Sequence, residues 1–175
     1  IWKVAGLALS YLILVIIGRN YGAESVGLYG FVTSSTLVFG LFAGLGYNTA
    51  ALRFLPPFIV NNSGDVSRFL KIAVIHISPV SIFLGLLVFC FSDFLAEQVF
   101  DQAAYGLGLK LVGFLIPVAA FNNLAIESIR AHQDIVWSEF LRAPWRYFLL
   151  IAALFGLPAF VSSVNSLFIA IGFSL

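Results

Sequence analysis

Charged residues are scarce in this sequence of 175 residues, and methionine is absent from it. Only 10% of the residues are charged and 61% are hydrophobic, against about 25% and about 45–50% in soluble domains. So few charges cannot cover the surface of a soluble protein of this size. The composition therefore predicts an all-α protein, a polytopic bundle of transmembrane helices.

Several function classes lack the residues that they need. The single cysteine, Cys90, lies in an apolar run and cannot form an intrachain disulfide or a cysteine metal cluster. A net charge of +1 without a dense basic patch argues against a nucleic-acid partner. The motifs HExxH, GxxxxGK[ST] and paired cysteines do not occur. We predict a protein that is not an enzyme and that needs no cofactor and no metal.

Apolar runs separated by short polar segments predict about six membrane spans. They lie at about residues 1–18, 26–55, 72–91, 109–129, 147–164 and 167–175, the last incomplete. The uncharged run from Gly27 to Leu52 would be about 40 Å long as a helix, and Pro56-Pro57 predicts its end because proline has no backbone N–H. Both chain ends fall in apolar runs, so we expect a fragment of a longer protein.

The distribution of Lys and Arg predicts the orientation of the spans. A short polar turn at residues 20–26 makes the first two spans antiparallel neighbours. If the N-terminus is cytoplasmic, the external segments hold only Arg19 and Lys110. The cytoplasmic segments then hold Lys3, Arg53, Arg68, Lys71, Arg130, Arg142 and Arg146. This bias predicts a multi-pass protein of the cytoplasmic membrane with its N-terminus inside.

Amide and ionisable groups within or beside the spans are the candidate functional residues, because such groups are costly in lipid. We predict that Asn48, Asn122 and Asn123 contact substrate and that Glu127, Arg130 and His76 take part in coupling or gating. Other interpretations stay open. Glu127 and Arg130, three residues apart, also suit an ion pair at a helix end, and His76 suits a hydrogen-bonded packing residue.

Small and polar residues recur on one face of the second span, including Thr33, Thr36, Gly40 and Gly44. Gly40 and Gly44 form a GxxxG pattern, which lets two membrane helices approach closely. The face therefore predicts either a close helix crossing or a cavity lined by the Thr hydroxyls and the Asn48 amide. Gly44-Leu45-Gly46 is interpreted as helical.

Two segments carry a family resemblance. The first span ends in Arg19-Asn20-Tyr21-Gly22, and Gly27-Leu28-Tyr29 opens a second span that closes with Gly44-Leu45-Gly46-Tyr47-Asn48 and Arg53. This pattern resembles the polysaccharide-biosynthesis flippases of the MOP superfamily. The resemblance implies a protein of two pseudo-repeated lobes. This chain would be most of the first lobe, and the C-terminal lobe would be missing.

The resemblance implies a transporter that flips lipid-linked oligosaccharide across the membrane by alternating access. Its partners would be a polyprenyl-pyrophosphate-linked sugar, the lipid bilayer and a coupling ion. Arg19 and Arg53 match the arginines that bind pyrophosphate in a central cavity, although both also suit anchors that reach the headgroups.

Two alternatives to the flippase stay open. A multidrug or cation antiporter of the same superfamily would need buried acids, and the first two spans have only Glu24, in the turn. A membrane-embedded polysaccharide polymerase or glycosyltransferase would need a long catalytic loop.

Overall fold

The computed structural model describes residues 2–60, 64–98 and 104–142. These residues form six helices and no strand, which confirms the all-α fold. The helices are α1 (Trp2–Ala43), α2 (Tyr47–Val60), α3 (Asp65–Cys90), α4 (Ser92–Gln98), α5 (Ala104–Ala131) and α6 (Ile135–Arg142). The spans predicted at 147–164 and 167–175 lie outside the described residues.

Among the described residues, three helical segments are long and apolar enough to cross a membrane: Val4–Ala43, Asp65–Cys90 and Tyr105–Ala131. Large apolar side chains also cover their outer surface, as Phe42 (70% exposed) and Phe114 (73% exposed) illustrate. A surface of this kind suits contact with lipid rather than with water. The structure thus supports the predicted membrane protein.

The first helix folds back sharply at Gly22. Gly22 has φ 85° and ψ 171°, a combination essentially confined to glycine. A Cβ on Gly18 would lie 3.5 Å from Val26 Cγ2, although residues eight apart in a straight helix are about 12 Å apart. α1 therefore consists of two arms, each about 20 residues and about 30 Å long. The two arms agree with the predicted antiparallel pair of spans. The chain reverses at the single residue Gly22, however, and not in a polar turn over residues 20–26.

The second span is not the continuous helix predicted for residues 26–55. α1 ends at Ala43, a turn occupies residues 44–46, and α2 continues through Pro56 and Pro57 to Val60. The interpretation of Gly44-Leu45-Gly46 as helical is wrong, because Leu45 (φ 50°) and Gly46 (φ 76°) have positive φ angles. The prediction that the two prolines end the helix is also wrong. Neighbouring helices can satisfy the backbone groups that proline leaves free in a membrane helix.

Helix α5 is the centre of the described bundle and contacts each of the other five helices. Its side chains Val112, Leu115 and Ile116 are almost completely buried. Small residues bring its neighbours close, since a Cβ on Gly85 of α3 would lie 2.5 Å from the Gly113 carbonyl oxygen of α5. Such close approach stabilises helix pairs in lipid, where no hydrophobic effect drives association.

The acidic segment after α3 forms a short helix, α4, which packs on the start of α5. Asp93 Oδ1 of α4 lies 2.9 Å from Lys110 Nζ of α5; the Asp93 side chain is largely exposed and that of Lys110 is partly exposed. The ion pair joins α4 to the part of α5 that carries Lys110, which was predicted to be external. An exposed pair of this kind contributes little stability.

We expect Gly22→Ala to destabilise the protein by about 1–3 kcal/mol, because alanine cannot adopt the backbone conformation of Gly22 without strain. A new Cβ there would meet nothing within 4 Å, so steric overlap does not contribute. Unfolding by sodium dodecyl sulfate, followed by circular dichroism, measures the change.

Gly27→Ala is the matched control for this variant. Gly27 lies in the second arm of α1 without a positive φ, and its new Cβ would also meet nothing within 4 Å. The control should be neutral or more stable by roughly 0.5–1 kcal/mol, because alanine favours the helix. Equal stability of the two variants would contradict a hairpin that depends on Gly22.

Candidate functional site

A polar pocket of about 360 Å³ lies between α1, α2 and α5. Its lining comprises Leu37, Leu41, Asn48, Thr49, Leu52, Asn122, Asn123, Ile126 and Glu127. The structure therefore brings together four predicted site residues, three amides and one carboxylate. Polar groups are costly among membrane helices, so their convergence on one hollow marks the candidate functional site.

The geometry of two helices explains this convergence. Asn48 lies in the first turn of α2, directly after the turn at residues 44–46 that interrupts the helix. On α5, Asn122 and Asn123 are followed by Ile126 and Glu127, a spacing that places all four on one side of the helix. The same side of α5 packs on α1, where a Cβ on Gly40 would lie 3.0 Å from Ala119 Cβ.

Asn48 is held at the edge of the break. Its Oδ1 is buried and has no hydrogen-bond partner among the described residues. Its amide nitrogen lies beside Gly44, where a Cβ would approach to 2.7 Å. A side chain at Gly44 would displace the Asn48 amide, so the GxxxG pattern serves two purposes. Gly40 permits the crossing with α5, and Gly44 makes room for Asn48.

The break also frees backbone carbonyls. In a continuous helix Leu45 N–H would donate to the Leu41 carbonyl, but here it donates to Phe42 O at 3.1 Å. Tyr47 N–H likewise donates to Gly44 O at 2.9 Å rather than to Ala43 O. The Leu41 carbonyl thus loses its helical donor, and Leu41 lines the pocket. Backbone of this kind is tolerated at membrane depth where it lines a cavity.

Glu127 carries the negative charge of the pocket. Arg130 Nη1 lies 3.8 Å from Glu127 Oε2, and the two residues are one helical turn apart. The Glu127 side chain is 16% exposed and that of Arg130 is 38% exposed. The ion pair between Glu127 and Arg130, which was one interpretation of the sequence, is present. This distance is long for a charge-assisted hydrogen bond. Arg130 therefore balances the charge of the Glu127 carboxylate without fixing its position.

The two arginines expected to bind pyrophosphate do not line this pocket. The side chains of Arg19 and Arg53 are both exposed. Arg53 lies on α2, and its guanidinium carbon is 5.8 Å from the centre of the Phe54 ring, within range of a cation–π contact. Their proposed role with substrate stays a prediction.

His76 also lies outside the pocket. Its Nδ1 is 2.8 Å from the hydroxyl of Tyr47, and the two rings stack with centres 5.8 Å apart. His76 of α3 therefore fixes the first residue of α2, next to the break. This contact matches the packing interpretation of His76 and leaves its predicted part in coupling untested.

The threonines of α1 do not contribute to the pocket. The Thr33 hydroxyl donates to Tyr29 O at 2.8 Å, and the buried Thr36 hydroxyl donates to Val32 O at 2.8 Å. Their hydroxyl groups are thus bonded within their own helix. Thr49 and Leu41 were not among the residues predicted from the sequence to form a site. The two glycines that flank Leu45 were the available signal for the nearby helix break.

No family model, curated protein or solved structure matches this chain. Within the described residues, no three His, Cys, Asp or Glu side chains are grouped as ligands for a metal ion. The site is therefore interpreted from its own chemistry. Amides, a hydroxyl and one paired carboxylate can hold hydroxyl-bearing ligands or a cation.

We expect the pocket to be open to water, and a cysteine-reactive probe tests this. In a Cys90→Ala background, Asn122→Cys should react with a membrane-impermeant methanethiosulfonate reagent, because Asn122 lines the polar pocket. Thiols react as thiolates, which form far more readily in water than in lipid. Mass spectrometry of the labelled protein measures the extent of reaction.

Val118→Cys is the matched control for this experiment. Val118 lies one turn before Asn122 on α5 and is 42% exposed, but it faces an apolar groove beside Gly85 and Phe114. It should stay unlabelled in the membrane. Equal labelling of the two positions, or none at Asn122, would contradict a water-filled pocket.

Proposed function

We propose that this chain is part of a membrane transporter that flips a lipid-linked oligosaccharide across the cytoplasmic membrane by alternating access. The observation that carries the proposal is the half-open polar pocket between three apolar helices. Three amide side chains and a carboxylate meet there, at a break in a helix. A protein that only anchored itself in lipid would have no reason to keep them.

The chemistry of the pocket suits a glycan. Asn122, Asn123 and Asn48 each offer amide donors and an acceptor, and the Glu127 carboxylate accepts hydrogen bonds. Sugar hydroxyls need both kinds of partner. The flanking Leu37, Leu41 and Leu52 give the apolar wall that binding pockets commonly combine with a few polar groups.

The exposed arginines are compatible with the same function. In a transporter of two lobes, the substrate path runs between the lobes. A cation that contacts the pyrophosphate would then lie on the outer surface of one lobe, and both Arg19 and Arg53 are exposed. A guanidinium presents a planar fork of donors that matches phosphate oxygens.

A cation-coupled antiporter of the same superfamily is the second candidate. The observation that favours it is Glu127, a carboxylate that α5 places opposite Asn48 of α2. The sequence has no acid within the first two spans, but in the fold Glu127 of α5 lies in a pocket that residues of the second span also line. The two candidates differ in cargo rather than in architecture.

We expect Arg19→Ala to abolish flipping, because it removes a fixed positive charge that contacts the pyrophosphate. The full-length protein is reconstituted in liposomes that contain a fluorescent polyprenyl-diphosphate-linked N-acetylglucosamine. Dithionite added outside then quenches the lipid in the outer leaflet, and further quenching reports flipping. Wild-type protein should expose the inner-leaflet lipid, and Arg19→Ala should not.

Arg68→Ala is the matched control, since Arg68 is an exposed arginine at the start of α3. It should flip lipid as the wild type does. Wild-type flipping by Arg19→Ala would remove Arg19 from the mechanism. If the wild type fails to flip this lipid but expels a cationic dye in exchange for protons or Na⁺, the antiporter is the correct function.

A further inference from the structure

The turn at residues 44–46 holds its backbone in a conformation that helical residues avoid. Leu45 has φ 50° and Gly46 has φ 76°, both in the left-handed region. A leucine there is strained because its Cβ crowds the backbone, whereas a glycine has no Cβ and no such cost. Strain of this kind persists only where the surrounding structure holds it, and it is common at switch regions.

The turn also replaces hydrogen bonds of a regular helix. The Leu41 carbonyl loses its helical donor, the N–H of Leu45, which bonds to a nearer carbonyl. The Ala43 carbonyl loses the N–H of Tyr47 in the same way. In a continuous helix both bonds would form, and Leu45 would take its ordinary negative φ. The turn itself is therefore less favourable than a helix through the same residues.

The sequence of the turn is also compatible with a helix. Residues 44–46 contain no proline, and leucine is among the stronger helix formers. Glycine accepts both the left-handed and the helical conformation. A Cβ on Gly46 would meet nothing within 4 Å, so packing does not require a glycine there. Two backbone conformations are thus open to the same three residues.

Contacts between α2 and the rest of the bundle hold the turn in place. Tyr47, the first residue of α2, has its hydroxyl 2.8 Å from His76 Nδ1 of α3, and the two rings stack. The Tyr47 ring also meets the Phe69 ring edge-on, with centres 6.0 Å apart. Further along α2, Ala51 and Leu55 are fully buried. The observed conformation therefore depends on contacts of α2 and not on the turn itself.

A change at the turn would move one wall of the polar pocket. The pocket takes Asn48, Thr49 and Leu52 from α2 and the rest of its lining from α1 and α5. All three residues follow the turn, which sets the direction of α2 relative to α1. A helix that continued straight from α1 into α2 would change their position relative to α5.

We propose that residues 44–46 are a conformational switch between the observed turn and a helix that is continuous from α1 into α2. In the turn state Tyr47 is bound to His76, and the pocket has the lining described above. In the helical state this contact is released, and α2 moves away from α5 and opens the pocket. The movement takes place within the described bundle, so the proposal does not rest on the identity of the cargo.

Double electron–electron resonance between two spin labels measures the populations of the two states. The labels are attached through Val38→Cys and Val60→Cys, exposed positions on either side of the turn. The full-length protein, with its other cysteines replaced, is placed in lipid nanodiscs. A continuous helix from residue 38 to residue 60 is about 33 Å long. The turn, which is closed by short-range hydrogen bonds, bends this path and gives a shorter distance.

Two substitutions at the turn should shift the populations in opposite directions. Gly46→Ala puts a left-handed alanine into the turn state and favours the helix, so the ratio of the longer to the shorter distance should rise about tenfold. Leu45→Gly removes the strain of the turn state and disfavours the helix, so the ratio should fall about tenfold. Gly27→Ala is the matched control in α1. Its Cβ also meets nothing within 4 Å, and the ratio should not change.

His76→Phe tests the contact that holds the turn state. Phenylalanine can stack on Tyr47 but cannot bond to its hydroxyl, so the ratio should rise severalfold. A break that is fixed in one conformation predicts a different result. The substitution would then lower the thermal stability of the protein without adding a second distance.

The proposal is overturned if neither the wild type nor any variant shows the longer distance. It is also overturned if Gly46→Ala and Leu45→Gly give the same ratio. If Gly46→Ala does not fold, equal ratios in Leu45→Gly and His76→Phe overturn it instead. The distances are measured without cargo, so a failure of the flipping assay and a failure of the switch are separate results.

Discussion

Every backbone N–H and C=O in a lipid environment needs a partner, and this constraint decides where a membrane helix can be interrupted. The chain interrupts one at Gly44-Leu45-Gly46, between α1 and α2. Part of the lost bonding is recovered locally, since Leu45 and Tyr47 donate to nearer carbonyls. The Leu41 carbonyl loses its helical donor, and Leu41 and Asn48, on the two sides of the break, both line the polar pocket. The break and the pocket therefore lie side by side.

Helix α5 supplies the other half of this arrangement. Small residues let α1 and α3 approach it closely, at Gly40 against Ala119 and at Gly85 against Gly113. Since lipid offers no hydrophobic drive for association, this close packing is what fixes the position of α5. The amides and the carboxylate that follow Ala119 on α5 are then held opposite α2. The packing of apolar residues thus sets the geometry of the polar ones.

Composition was sufficient to predict an all-α membrane protein, because so few charges leave no other class. The free-energy cost of a polar side chain in lipid was sufficient to select four residues that the fold brings together: Asn48, Asn122, Asn123 and Glu127. The break was missed because proline was taken as the stronger terminator. Pro56 and Pro57 lack an N–H but keep helical φ, whereas Leu45 and Gly46 adopt positive φ. Periodicity assigns residues to helix faces, but it cannot say which faces meet, so the separation of His76 from the pocket was not predictable.

The central claim is that a helix is interrupted directly after Ala43, beside a water-accessible polar pocket. Hydrogen–deuterium exchange of the protein in lipid nanodiscs tests it most directly. The account predicts that amides of residues 44–48 exchange much faster than those of the first arm of α1 and of α5 near Leu115, which lie in continuous helix. Exchange at residues 44–48 as slow as in those two segments would contradict both the break and the pocket.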